Sequence, residues 1–264
     1  MEFIEVDTFD EKKQEIINLF RNNIKYKIFC NENTHCGSEG HWLEDLMNIK
    51  HNNKNEPDIN GFEMKKDSSK ITFGDFSASE YLFSKNKNNI NKFNNWENFD
   101  ITRNQFINIF GSPNLLKNNR YSWSGSCVPT YDFWNKFGQN LLFDNDENLC
   151  IYYSYEKDTR EIKNTYPEKI KKNVILIVIW NREKLKSCIE NKFNKNGFFI
   201  CKKINNIYEK ICFGNPFNFK YFIENIKNKN IIFDSGMYDG NLRNYSQFRS
   251  KSNFWNSLIT EEYL

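Results

Sequence analysis

The sequence predicts an α/β protein built on a central mixed β-sheet flanked by helices. Three observations support this. The run 174–180 is apolar without a break, the pattern of a strand covered on both faces. A helix-length segment follows at 182–193, and two strand-like runs follow that at 197–204 and 209–213. Helices and strands thus alternate along the chain, the element order of a layered α/β fold.

Taken in order, residues 8–29 read as a helix with Ile16, Ile17, Phe20, Ile24 and Ile28 on one face. A shorter helix over 37–47 opens at Ser38 and buries a stripe of Trp42, Leu43, Leu46 and Met47. Strands follow at 62–66 and 70–76. The Lys- and Asn-rich stretch 85–98 reads as an exposed connection, and it suggests a lobe of 1–95 and a lobe of 96–264. Residues 100–110 form a helix stopped by Gly111, with Pro113 beyond. Residues 120–131 read as a Ser- and aromatic-rich loop, and 140–155 as a hairpin with its tip at 145–148. Asn215 as cap and Pro216 at the first position open a further helix, and a strand at 230–234 follows it.

At 264 residues the chain is long enough for one large domain or two lobes with ample core. A net charge of +3 from 37 basic and 34 acidic side chains does not select a partner, because nucleic-acid binding needs a local basic face. Seven irregularly spaced cysteines, no signal-peptide pattern and no apolar run near membrane-spanning length suggest a reduced cytoplasmic protein without a membrane partner. Cys30, His35, Cys36 and His41 cluster in sequence, but without the Cys-x-x-Cys spacing of common zinc sites. The loop 122–126 lacks a Gly-x-Ser-x-Gly frame, and all three histidines precede residue 52, which argues against serine-hydrolase chemistry.

The strongest chemical signal is the order Glu44, Asp58, Glu63, Lys65. On a strand over 62–66, Glu63 and Lys65 share one face, while Phe62, Met64 and Lys66 take the other. Asn60-Gly61 reads as a turn that returns Asp58 to the side of Glu63. Two hard oxygen ligands suit Mg²⁺, which keeps several waters and takes phosphate oxygens in its remaining positions. Glu44, at the edge of the buried stripe, is placed to serve a second ion or the Lys65 ammonium. An acid two residues before a lysine also occurs at Asp10, Glu11, Glu161 and Glu190, so a charged surface strand beside a salt-bridged helix is the competing reading.

Near the C-terminus, Arg243, Asn244, Tyr245, Gln247 and Arg249 lie in a Gly- and Asn-containing stretch flanked by aromatics. Arginine can bond guanine in pairs, and Asn or Gln can do so with adenine. The same residues also suit a last strand and helix that pack Phe248, Trp255 and Leu258 on the core. Lys65, Lys66, Lys70, Arg103, Lys117 and Arg120 are candidate phosphate contacts, although each such residue taken alone is more often a solvated surface charge.

Gly-x-x-Gly-x-x-Leu-Glu ending at Glu44, Pro-Asp at Asp58 and Glu-x-Lys at Glu63 together resemble the PD-(D/E)xK nucleases of the MutH and MvaI/BcnI branch. The stretch 233–249 is similar to the LlaMI-like restriction endonucleases. The resemblance implies a restriction-endonuclease-like core in two lobes around a DNA cleft. It implies Asp58 and Glu63 as metal ligands, Lys65 as the water-orienting group, Glu44 as an auxiliary acid and the 243–249 segment as a DNA reader. The implied activity is Mg²⁺-dependent type II restriction of double-stranded DNA, with Mn²⁺ able to substitute. A monomer acting on a CCNGG- or CCWGG-like target is expected. A MutH-like nicking enzyme and a non-enzymatic DNA-binding protein are the alternatives. Some 35 residues at the N-terminus are an apparent departure from the pattern.

Overall fold

The computed structural model describes residues 8–30, 37–50, 55–84, 101–172 and 174–264. The first elements are α1 (Thr8–Asn23), α2 (Ser38–Leu46), β1 (Glu63–Lys66), β2 (Lys70–Asp75), β3 (Glu80–Tyr81), α3 (Arg103–Phe110), β4 (Ser112–Asn114) and β5 (Arg120–Trp123). Next come β6 (Phe137–Phe143), β7 (Leu149–Asp158), β8 (Ile175–Trp180), α4 (Arg182–Phe193), β9 (Phe198–Ile204) and β10 (Ile207–Gly214). The chain ends with α5 (Phe219–Lys227), β11 (Ile232–Ser235), β12 (Met237–Tyr238), β13 (Ser246–Lys251), α6 (Ser252–Ser257) and β14 (Ile259–Tyr263).

Two compact units emerge, each assembled from separate stretches. One comprises Met1–Ile71, Ser187–Phe222 and Ser250–Leu264, and the other Thr72–Lys186 and Ile223–Arg249. This interleaved division differs from the linear 1–95 and 96–264 lobes expected from sequence. The connection at 85–98 that prompted that expectation lies outside the described residues.

The first unit holds a mixed sheet in the order β1-β9-β10-β14, with β1 parallel to β9 and the other pairs antiparallel. The β9–β10 hairpin turns on Asn205 and Asn206, both at positive φ (49° and 66°), the geometry whose twist matches the flanking strands. Ile16, Ile17, Phe20 and Ile24 of the α1 segment pack with Leu43, Met47, Phe62, Met64 and Phe213 into one core. These α1 residues, which fall in the N-terminal stretch expected to depart from the family pattern, are therefore part of that core. On the opposite side, Phe198 meets Trp255 edge-on at 4.9 Å, and Phe193 stacks on Phe217 at 4.6 Å.

In the second unit β3-β8-β7-β6 form an antiparallel sheet. Of the apolar run at 174–180, Ile175 and residues 177–180 are buried there as expected, whereas Val174 is exposed and Leu176 half-buried, and the neighbouring strands are antiparallel. A further sheet, β12-β5-β4, turns part of the expected loop at 120–131 into strand. Aromatic rings fill the centre: Trp123, Trp180, Phe233 and Phe248 meet at centroid distances of 4.9 to 5.6 Å. Buried Gln139 satisfies both ends of its amide, accepting from Trp123 Nε1 at 2.8 Å and donating to Phe110 O at 2.7 Å.

Several boundaries shift. Helix α1 ends at Asn23, and Tyr26 at φ 66° stops the run that was expected to reach 29. Gly37, not Ser38, occupies the N-cap position of α2. Thr102 caps α3 through a reciprocal box with Gln105. Helix α5 begins after Asn218, whose Oδ1 accepts from Tyr221 N at 3.0 Å, and not after Asn215.

Candidate active site

The site is built around β1 and the turn before it. Ile59 and Phe62 exchange backbone hydrogen bonds (3.1 and 2.8 Å) across Asn60 and Gly61, which have φ 52° and 83°. Positive φ at both positions is what an Asn-Gly pair supplies, and it folds the chain back on itself. Asp58 is thereby returned to β1, where its Oδ2 accepts from Met64 N at 2.9 Å. Glu63 N donates to Gly197 O at 3.0 Å, which aligns β1 with β9.

Strand alternation then does what the sequence anticipates. Lys65 Nζ donates to Glu63 Oε1 at 2.7 Å, and both residues are buried at 6% and 2% exposure. Phe62 and Met64 enter the core on the other face. A third charged group arrives from α4: Lys192 Nζ lies 3.0 Å from the same Glu63 oxygen. The sequence contained Lys192 only as the end of the Glu190-x-Lys192 pair, one of the copies without apolar and turn context. Lys65 Nζ also sits 5.2 Å from the centre of the Phe193 ring.

Burial sets the electrostatics. Asp58 is pushed up to about 7 by burial and then by the negative charge of Glu63, with Lys192 and Lys65 opposing. Burial holds the Lys65 ammonium below its usual range despite the Glu63 carboxylate beside it. Burial also disfavours the charge on Lys192, but Glu63 and Asp58 more than offset this, and Glu44 adds to the effect, so its pKa rises. Glu44 is thus within electrostatic reach of the cluster, and its Oε2 lies 3.3 Å from His41 Nδ1.

One atom in the cluster is unmatched. Glu63 Oε2 is buried and accepts no hydrogen bond. A buried carboxylate oxygen without a donor is costly, and the neighbouring Asp58 carboxylate adds negative charge. Two carboxylates with one open acceptor fit a hard divalent cation that takes its other ligands from water and phosphate. Among the described residues no group of three or more His, Cys, Asp or Glu side chains is placed to hold a metal by itself. The suggested zinc cluster cannot be traced in full, since His35 and Cys36 lie outside the described residues. The six described cysteines are thiols.

The C-terminal residues fall in the second unit. Arg243 lies in the connection after β12, pairs with Asp75 at 2.8 Å and stands 4.6 Å over the Tyr245 ring. Asn244 Oδ1 accepts from Arg103 Nε at 2.8 Å. Gln247 and Arg249 are on strand β13, not in a loop, and bond to each other. Arg249 also pairs with Asp234 of β11 at 3.2 Å. Of the candidate phosphate contacts, Lys65 belongs to the carboxylate cluster and Lys66 lies 3.3 Å from Glu39.

No helix among the described residues is long and apolar enough to cross a membrane. Among solved structures the chain resembles the restriction endonuclease MvaI in complex with its cognate DNA substrate, with a TM-score of 0.59 and 12% identity. That likeness covers 98% of this chain and 99% of the other, and it shows a restriction-endonuclease fold. In sequence the chain is 38% identical over 266 residues to the type II restriction enzyme ScrFI of Lactococcus lactis subsp. cremoris, covering 94% of this chain and 97% of the relative. The description of the LlaMI restriction endonuclease family matches residues 20–263. Nearly the whole chain is thus accounted for, and the protein belongs to the LlaMI restriction endonuclease family, type II restriction enzymes that cleave DNA at specific sites.

Proposed function

We propose that the protein hydrolyses both strands of double-stranded DNA at a short target with Mg²⁺, or Mn²⁺ in its place, held by Asp58 and Glu63. The observation that supports this most directly is Glu63 Oε2, a buried acceptor without a donor beside a carboxyl group raised to about 7. When bound, Mg²⁺ supplies Lewis-acid stabilisation of the charge that builds on the phosphate. Lys65 orients the attacking water and, held below its usual pKa, can exchange a proton with it at Nζ. Lys192 shares the Glu63 oxygen and adds positive charge beside the two carboxylates. Glu44 acts as an auxiliary acid through its field on Lys192. The products are 5′-phosphate and 3′-hydroxyl ends.

In this reading Arg243 and Arg249 contact base edges. Asn244 and Gln247 hold guanidinium groups in place, and Tyr245 supports Arg243 by stacking. The likeness to the LlaMI-like enzymes supports a CCNGG- or CCWGG-like target, a monomeric enzyme and a cytoplasmic site of action. Digestion of supercoiled plasmid with Mg²⁺, with Ca²⁺ and with EDTA, followed by sequencing of the ends, tests the proposal. Linear products with a common end sequence are expected in Mg²⁺ alone. Open circles without linear product would indicate a nicking enzyme, and cleavage in EDTA would end the metal assignment.

A further inference from the structure

One end of the β12-β5-β4 sheet carries an apolar surface that the carboxylate cluster does not use. Among the described residues, the three most exposed large apolar side chains are Leu242 (94%), Leu116 (92%) and Leu115 (81%). A single exposed leucine is ordinary, but a group at one place marks an interaction surface. Leu115 and Leu116 open the 3-10 turn Leu115–Lys117 between β4 and β5. Asn114 Oδ1 accepts from Leu116 N at 3.1 Å, and Asn118 and Asn119 at φ 52° and 58° return the chain into β5.

Sheet register brings Leu242 to the same end. Strand β12 is antiparallel to β5, with Met237 opposite Trp123 and Tyr238 opposite Ser122. Asp239 N then donates to Tyr121 O at 3.0 Å, so the chain leaving β12 runs toward the Arg120 end of β5, where the leucine turn begins. Arg103 fixes the base of the Leu242 loop by donating to the carbonyls of Tyr238 (3.2 Å) and Arg243 (2.9 Å). The leucines are therefore presented on braced backbone.

The charges around them are mostly basic. The Arg120 guanidinium stacks 3.6 Å from the centre of the Tyr238 ring, and its Nε is buried without a hydrogen-bond partner. Among the described residues neither Arg120 nor Lys117 is paired with a carboxylate. Of the nearby acids, Asp75 is engaged by Arg243 and by Ser246 N, and Asp239 faces Arg103 electrostatically. Exposed leucines beside unpaired cations suit a partner that is anionic outside and apolar within. Duplex DNA is such a partner, with phosphates for the cations and stacked bases for the leucines.

We propose that Leu115, Leu116 and Leu242 form a wedge that enters the bound duplex and unstacks a base step at or beside the target, while Lys117 and Arg120 hold the flanking phosphates. Opening a step costs least at pyrimidine–purine steps, so the wedge adds selectivity at positions that no side chain reads by hydrogen bonding. The inference rests on the reading of the protein as a cutter of double-stranded DNA.

The test uses the full chain in Ca²⁺ with duplexes that carry 2-aminopurine at successive positions in and around the sequenced cleavage site. Because the leucines are almost fully exposed, L115S/L116S and L242S should fold normally, and circular dichroism checks this. Wild type is expected to raise the fluorescence at one step. Both leucine variants should lose that rise and bind cognate DNA about tenfold more weakly with an unchanged salt slope. Lys117→Ala should keep the rise and lower the salt slope by about one. Leucine variants that retain both the rise and the affinity would overturn the wedge. So would variants that abolish self-association of the wild type and leave the DNA response intact, since the surface would then join two copies of the chain. A wild type that cuts no duplex would instead refute the endonuclease reading.

Discussion

Asp58 shows how burial turns a common side chain into a pH-sensitive one. Its carboxyl group is pushed from 3.8 to about 7 in the folded chain. Between those values the folded protein holds a proton that the unfolded chain has released, so the protein without metal loses stability as pH rises through the window. Asp58→Asn removes this penalty, and each pKa unit corresponds to about 1.4 kcal/mol. In EDTA the variant should therefore melt several degrees above wild type near pH 8, with the difference vanishing near pH 4. Equal melting temperatures across that range would contradict the shift. Lys192 gives a second prediction, because its charge opposes the rise of the Asp58 pKa. Lys192→Ala should lower kcat by at least about tenfold, or 1.4 kcal/mol of barrier, and move the acid limb of the pH–rate profile upward. Lys65→Ala should abolish cleavage and leave binding in Ca²⁺ intact. A Lys192 variant with an unshifted profile would place that lysine outside the chemistry.

The turn and strand that position these groups were legible because their signals are local. Asn60-Gly61 specifies its turn from two residues, and alternation along β1 places Glu63 with Lys65 whatever the rest of the chain does. The start of α5 was not legible. Asn215-Pro216 carries a good start signal, but Phe217 is held by Phe193, through a backbone bond of 3.3 Å and ring stacking at 4.6 Å. This contact delays the helix to Asn218. Strand β5 was hidden for a related reason, since its partners β4 and β12 sit on either side of it in sequence, one of them more than a hundred residues away. Gly197 shows the precision of the β1–β9 junction. It has φ 88°, and a Cβ there would fall 2.2 Å from Gly214 O. Gly197→Ala should lower the melting temperature by several degrees, since a strained left-handed residue costs about 1–2 kcal/mol before the clash is counted. Cleavage should fall with it, because the Gly197 carbonyl holds Glu63 N.

Across the whole molecule, the first unit is closed by the last residues of the chain. Strand β14 pairs with β10, Glu261 lies 2.7 Å from Lys13 Nζ, and the Tyr263 ring meets Phe213 edge-on at 5.9 Å. Truncation after Leu258 removes a sheet edge together with its anchor to α1. The truncated protein should melt at clearly lower temperature and lose cleavage, and one that cuts plasmid at the wild-type rate would show that β14 is dispensable. The interleaving of the two units has the same origin: strands that pair in one sheet come from distant parts of the chain, so a boundary drawn along the sequence does not follow the packing.

Residue order was enough to specify the helix faces, the Asn-Gly turn and the pairing of Glu63 with Lys65, because each depends on backbone geometry over a few residues. The arrival of Lys192, the unmatched Glu63 oxygen and the raised Asp58 pKa came only with folding. Desolvation and charge interaction depend on distance through space, and the register of β1 on β9 and the placement of α4 set those distances. The leucines at 115, 116 and 242 obey the same rule, since only the antiparallel pairing of β12 with β5 brings them to one end of a sheet.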